Sequence, residues 1–178
     1  MIFITLNILI NSDSIEVKYK VNEKLVQVGN TTAVGKTNAV SGKVILKDDF
    51  TFEKGSVLKV DITTLKSDQE RRDRYIKNNT LEASKYPYVE FYPERIEGLK
   101  SLENGNYNVK IHGKLKIRDI VKSIVWSGKI EIKNKKAYVS LKTEFPFDYF
   151  NLKKPKVPIV IEIDDPIILE VEGSFILS

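Results

Sequence analysis

Residue types that commonly carry chemistry are scarce in this chain. Cysteine is absent and histidine occurs once, at position 112, which leaves no thiol nucleophile, disulfide, thiolate metal site or multi-histidine centre within the sequence. His112 shares the parity of Lys110 and Lys114 in an alternating run and so belongs on an outer, wet face. There is no Gly-x-Ser-x-Gly elbow, and no pair of carboxylates is marked by its spacing. No catalytic residue and no metal ligand is therefore named. What remains is one cluster of charge. Arg71, Arg72, Arg74 and Lys77 could offer guanidinium forks to a phosphate or quinone head group, but Asp68, Glu70 and Asp73 interleave with them. A self-neutralised, solvated helix is the simpler reading of that stretch.

The elements that would hold such a cluster can be read around it. Ser67 with Glu70 three residues later forms a capping-box pattern, and Asp68/Arg72, Glu70/Arg74 and Asp73/Lys77 each place an acid four residues before a base. Tyr86-Pro87 ends that helix and starts a strand at Tyr88. Elsewhere the chain alternates. Val17, Tyr19 and Val21 alternate with lysines; Leu58, Val60 and Ile62 follow suit, as do Val89 and Phe91, then Tyr107, Val109, Ile111, Gly113, Leu115 and Ile117. Ile124, Trp126, Gly128, Ile130 and Ile132 continue the pattern, followed by Ala137, Val139, Leu141, Thr143 and Phe145, and by Ile167, Leu169, Val171, Gly173, Phe175 and Leu177. Each strand has one apolar face.

Half-buried strands joined by short turns such as Glu103-Asn104-Gly105-Asn106 and Lys133-Asn134-Lys135 favour an antiparallel meander. The expected fold is all-β, an antiparallel eight-stranded β-barrel with a short helix between the third and fourth long strands; closure would remove exposed edges. Glycines 42, 113, 128 and 173 fall on the inward parity, where they permit sharp bending or leave space. Taken from the residues alone, the inward faces read more simply as a solid core than as a cavity.

A length of 178 residues suits one domain, spanning 1–178, and 42% hydrophobic with 30% charged residues supplies both a core and a wet surface. The net charge of +5 is spread along the chain, and the aromatic residues do not interleave with lysines along one groove, so nucleic acid is not an expected partner. No stretch is long enough to span a bilayer as a helix. The segment from Met1 to Ile10 has two readings. Alternation of Ile2, Ile4, Leu6, Ile8 and Ile10 argues for a strand, whereas its apolar character fits a signal remnant, although no basic residue precedes it and no small-x-small site follows.

Leu65-Lys66-Ser67-Asp68, Arg72-Asp73, Leu81, Tyr86-Pro87 and Phe91 together resemble the signature of the YceI-like family of polyisoprenoid-binding, lipocalin-like proteins. The resemblance extends upstream through Tyr19 to Glu23, Ala33 to Thr37 and Val40-Ser41-Gly42. Downstream it takes in Gly113-Lys114-Leu115, Trp126, Phe145 to Phe150 and Pro155 to Pro158. In two turns the chain departs from the family pattern: Asn151 stands where relatives carry glycine, and Arg118-Asp119 where they carry His-Gly. Asparagine and aspartate tolerate positive φ, so both turns are expected to survive, with Asp119 taking that role in the second.

The resemblance implies a cavity in place of the solid core and a non-enzymatic role: binding, carriage or sequestration of an amphiphilic isoprenoid lipid of quinone or polyprenyl type. No cofactor is implied beyond such a bound lipid. Its tail would meet Tyr19, Val40, Val44, Leu58, Val60, Ile62, Val89, Phe91, Val109, Ile111, Trp126, Leu141, Phe145, Leu169 and Val171. Head-group or rim candidates are Arg72, Asp73, Tyr149 and Phe150, with the Arg72-Asp73 pair also suited to pinning the helix against the sheet. Two alternatives stay open, a lipid-modifying hydrolase using carboxylates and a protein-interaction or stress-response module with a solid core. The resemblance points to a periplasmic or extracytoplasmic location, or a cytoplasmic one if the amino terminus is a strand and no signal was removed. A homodimer is compatible with it.

Overall fold

A computed structural model describes residues 5–10 and 14–177. Ile2 and Ile4 of the amino-terminal alternation lie outside those residues, while its second half forms strand β1 (Leu6–Ile10). Then come β2 (Ile15–Leu25), β3 (Gly29–Thr37), β4 (Val40–Leu46) and β5 (Val57–Asp61). Helix α1 (Glu70–Tyr75) runs on into a π-helical turn over Ile76–Thr80 and leads to β6 (Tyr88–Glu97). The chain finishes with β7 (Gly105–Ile117), β8 (Ile120–Lys133), β9 (Lys136–Phe145), β10 (Val160–Ile163) and β11 (Ile167–Ile176).

All pairings are antiparallel and join one sheet, ordered β1, β4, β5, β6, β7, β8, β9, β11, β2, β10, with β3 beside β2. The expected eight-stranded closed barrel is corrected on two points. Eleven strands are present among the described residues, and the hydrogen-bond ladder does not close into a ring; the helix lies between β5 and β6. The break has a local cause. β3 and β4 are separated by Asn38 and Ala39 alone, where the Ala39 N–H donates to Thr37 Oγ1 (3.0 Å) and the Val40 N–H to the Asn38 carbonyl (2.8 Å). Continuous backbone thus carries the chain from the β2 side to the β5 side, and β1 takes the other edge of β4.

Register puts the apolar parity of each strand on one face. Leu58, Phe91 and Leu115 stand opposite one another across β5, β6 and β7, while Gly128, Leu141, Val171 and Val17 form a second belt across β8, β9, β11 and β2. Side chains from β1, β2, β4, β7, β8, β9, β10 and β11 meet in one large buried cluster around which the sheet coils, and Ile10, Ile15 and Val40 form a second, smaller one. Of the inward-parity glycines, Gly42, Gly113 and Gly128 serve close backbone approach and leave no room for a Cβ. A Cβ on Gly128 would overlap the Ser140 carbonyl oxygen of the neighbouring strand.

The turns follow their chemistry with one exchange. Asn134 and Lys135 both take positive φ (52° and 60°), as a two-residue hairpin loop of the primed type requires. Asn151 does so as expected (51°), but between β7 and β8 it is Arg118, at 55°, and not Asp119 that enters the left-handed region. Nor does Ser67 cap α1 through Glu70. The amino-terminal cap position is Gln69, and the Ser67 hydroxyl donates to Asp73 Oδ1 at 2.6 Å.

Candidate ligand-binding cavity

The coiled sheet encloses a cavity of about 310 Å³ whose wall is almost wholly aliphatic and aromatic. That is roughly twice the ~150 Å³ of an engineered apolar cavity that stays dry and admits benzene. Every residue expected to meet a ligand tail lines it except Val109. Val109 is only 3% exposed but belongs to the packed layer beside the wall; Ile111 on its own strand and Ile130 on β8 reach the cavity there. Trp126 meets the ring of Phe91 edge to face, centroids 6.0 Å apart, and its Nε1–H has no hydrogen-bond partner. Alternation alone predicts such a wall; that it stays hollow depends on how far the sheet coils before its opposite sides touch.

At one end the wall becomes polar. α1 and the π-helical turn contribute Arg72, Ile76 and Thr80 to the wall at this end, where Arg72 pairs with Glu23 near the end of β2. Arg72 is buried. Its Nη1 donates to Ser67 Oγ (3.0 Å) and Asp68 Oδ1 (2.9 Å), and its Nη2 donates to Glu23 Oε1. Burial alone would lower the Arg72 pKa, but the hydrogen bond to Asp68 and the charge and hydrogen bond of Glu23 outweigh it, so the guanidinium stays firmly protonated. Its Nε–H has no partner.

Tyr19 completes this end. Its ring lies across Gly35, directly opposite on β3, where any Cβ would overlap it. The phenol sits close to Ser67 and within the field of Arg72, yet its Oη makes no hydrogen bond of normal geometry. Burial pushes the Tyr19 pKa up to about 12, against the opposing pull of Arg72. Thr80 is committed elsewhere, donating through Oγ1 to the Lys153 carbonyl at 2.7 Å and tying the helical segment to the loop before β10.

The other rim candidates are corrected. Asp73 does not reach the cavity; both its oxygens accept from the Ser67 N–H (3.1 and 3.0 Å), which makes it a brace for the start of the helix. Phe150 is fully buried outside the cavity wall, packed against Phe145 and Tyr149 with centroids 4.9 and 5.1 Å away. Tyr149 donates its hydroxyl to the Ser123 carbonyl (2.7 Å) and carries the Lys122 ammonium over its ring, so it also staples a corner of the sheet. Arg71 and Arg74 are exposed. His112 is part-exposed on the outer face, near Arg95 and Glu97, as its parity predicts.

Two participants escape the sequence reading. Glu23 carries a readable signal, since it shares the inward parity of Tyr19 and Val21 and is thus an acid on an apolar face. Arg118 carries none. It donates through Nη2 to the carbonyls of Phe150 (3.0 Å) and Asn151 (2.8 Å) and through Nη1 to Glu82 (3.0 Å), joining three turns far apart in sequence.

Among the described residues no helix is long and apolar enough to cross a membrane. Searched by sequence, the curated proteins include no match to this chain. Solved structures do share its fold. A polyisoprenoid-binding domain from Saccharophagus degradans superposes with a TM-score of 0.69 at 8% identity, covering 97% of this chain and 98% of that one. BcnA from Burkholderia cenocepacia gives 0.68 at 13% identity, over 93% and 98%. A Campylobacter jejuni YceI protein gives 0.62 at 22% identity, over 79% and 82%. At these identities the likeness speaks for the fold. The sequence profile of the YceI-like domain matches residues 10–175, and the chain belongs to that family.

Proposed function

We propose that this protein binds an amphiphilic isoprenoid lipid, of quinone or polyprenyl type, with its tail in the cavity, and carries or sequesters it without chemical change. The observation behind this reading is the apolar wall around about 310 Å³. Similarity to a polyisoprenoid-binding domain supports the ligand class. Burial is worth ~0.8 kcal/mol per methylene, or roughly 4 kcal/mol per five-carbon unit fully removed from water. Association costs ~4–15 kcal/mol in lost freedom, so a few buried units suffice for micromolar binding without strong polar contacts. The buried carboxylate on the wall, Glu23, is held by Arg72, which leaves it poorly placed to act as a general base.

Organic extraction and native mass spectrometry of the purified protein test the reading, together with titration of delipidated protein with a short-tailed ubiquinone and with phytol. A copurifying lipid, or saturable one-to-one binding reported by Trp126 fluorescence, is the expected result. Recovery of empty protein that binds neither probe would overturn it.

A further inference from the structure

We infer that Arg72 and Tyr19 form a head-group site at the helix end of the cavity, and that it accepts an uncharged oxygen, hydroxyl or carbonyl, in preference to a phosphate. The inference rests on the lipid-binding reading above and adds the chemistry of the head group to it. At this end Arg72 Nε is buried without a partner, and Tyr19 Oη, buried close to Ser67, makes no hydrogen bond of normal geometry. Both residues line the cavity. The remaining nitrogens of the same guanidinium are committed to Ser67, Asp68 and Glu23, so Nε is the donor left over. A buried donor without an acceptor is costly, and an oxygen lone pair supplied by a ligand would remove that cost.

Charge decides which oxygen. Arg72 faces two carboxylates, Glu23 and Asp68, with Asp73 close enough to act on the Tyr19 phenol. The cation is therefore already more than neutralised. A phosphate would bring further negative charge into a low-dielectric enclosure, whereas an alcohol or quinone oxygen accepts from the same two donors and brings none. Tyr19 is well held for this purpose, since its ring is seated on Gly35 and its hydroxyl can rotate to donate. Trp126 Nε1 is a third unpartnered donor on a residue of the cavity wall, but it stands in the middle of β8 against the ring of Phe91.

Four ligands with one shared tail separate the possibilities: phytol, phylloquinone, phytyl phosphate and the head-less hydrocarbon phytane. Delipidated protein is titrated with each, following Trp126 fluorescence. Phytol, phylloquinone or both should bind about tenfold tighter than phytane, and tighter than phytyl phosphate. Tyr19→Phe keeps the ring on Gly35 and should remove most of that preference, read as the ratio of phytol to phytane affinity in the variant. Arg72→Lys, which keeps a cation for Glu23 but loses the Nε donor, should act in the same direction. Each comparison is a ratio within one variant, so a general loss of stability does not imitate it. Equal affinity for phytol, phylloquinone and phytane, tighter binding of the phosphate, or an undiminished preference in Tyr19→Phe would overturn the head-group site and leave the lipid-binding reading standing. Failure of all four ligands to bind would overturn both.

Discussion

Glu23 and Arg72, 49 residues apart in sequence, form an ion pair in which the side chains are 2% and 3% exposed. The pair joins β2 to the helix that covers one end of the cavity. It is therefore the point at which the sheet and its cap become one unit. Two buried charges are tolerated there because Ser67 and Asp68 share the guanidinium, leaving few of its protons unanswered.

Removing one partner should be worse than removing both. Glu23→Leu leaves the buried guanidinium with the exposed Asp68 as its one remaining counter-charge and should destabilise by about 3 kcal/mol, whereas Glu23→Leu with Arg72→Met together should recover much of that loss. Urea denaturation of the two variants and the parent gives the comparison. A double variant as unstable as the single one would show that the polar pair itself, and not its imbalance, sets stability here.

The same pair marks the limit of what could be read in advance. Strand identity is a local matter of period two, which is why β7, β8, β9 and β11 stand where alternation puts them and why almost every expected wall residue faces the cavity. Closure is not local. It depends on the short break at Asn38 and Ala39 and on β1 taking the edge of β4, neither of which changes the alternation. The basic cluster divided in a way spacing could not foretell: Arg72 turned inward to Glu23 while Arg71 and Arg74 stayed in solvent. Tyr149 and Phe150 suit a rim by sequence because aromatic side chains near proline read the same way whether they gate or staple.

Tyr19 should leave a signature at high pH. Its folded-state pKa of about 12 lies above the usual value of 10.0, so the folded protein holds a proton that the unfolded chain gives up. Stability from this group is complete below pH 10 and falls as pH rises from there towards 12. The alkaline loss should be shallower in Tyr19→Phe over the same window. Denaturation midpoints measured across that range decide the matter, and parallel curves for the two proteins would contradict the burial of the phenol.

Filling the cavity should separate binding from folding. Leu169, opposite Tyr19 and Thr143 in the sheet, lines the wall, and Leu169→Trp adds bulk into open volume where a solid core would be overpacked. Stability should change by less than about 1.5 kcal/mol, while affinity for phytol falls at least about tenfold. Overpacking a filled core would instead cost ~1–3 kcal/mol. Val109→Trp supplies the contrast, because Val109 faces packed neighbours and should pay that larger penalty.

Arg118 sets a clamp against a strained backbone, and two substitutions can pull these apart. Its side chain holds the Phe150 and Asn151 carbonyls and Glu82, while its own φ of 55° lies where a Cβ costs about 1–2 kcal/mol. Arg118→Ala loses the three hydrogen bonds and keeps the strain, for an expected loss of about 2–4 kcal/mol. Arg118→Gly loses the same bonds but relieves the backbone, so it should be less destabilising by about 1 kcal/mol even after the added freedom of its unfolded chain. Thermal and urea denaturation of both variants measure the difference. If glycine proves no better than alanine, the left-handed conformation at this turn is held without strain, and the clamp alone accounts for the arginine.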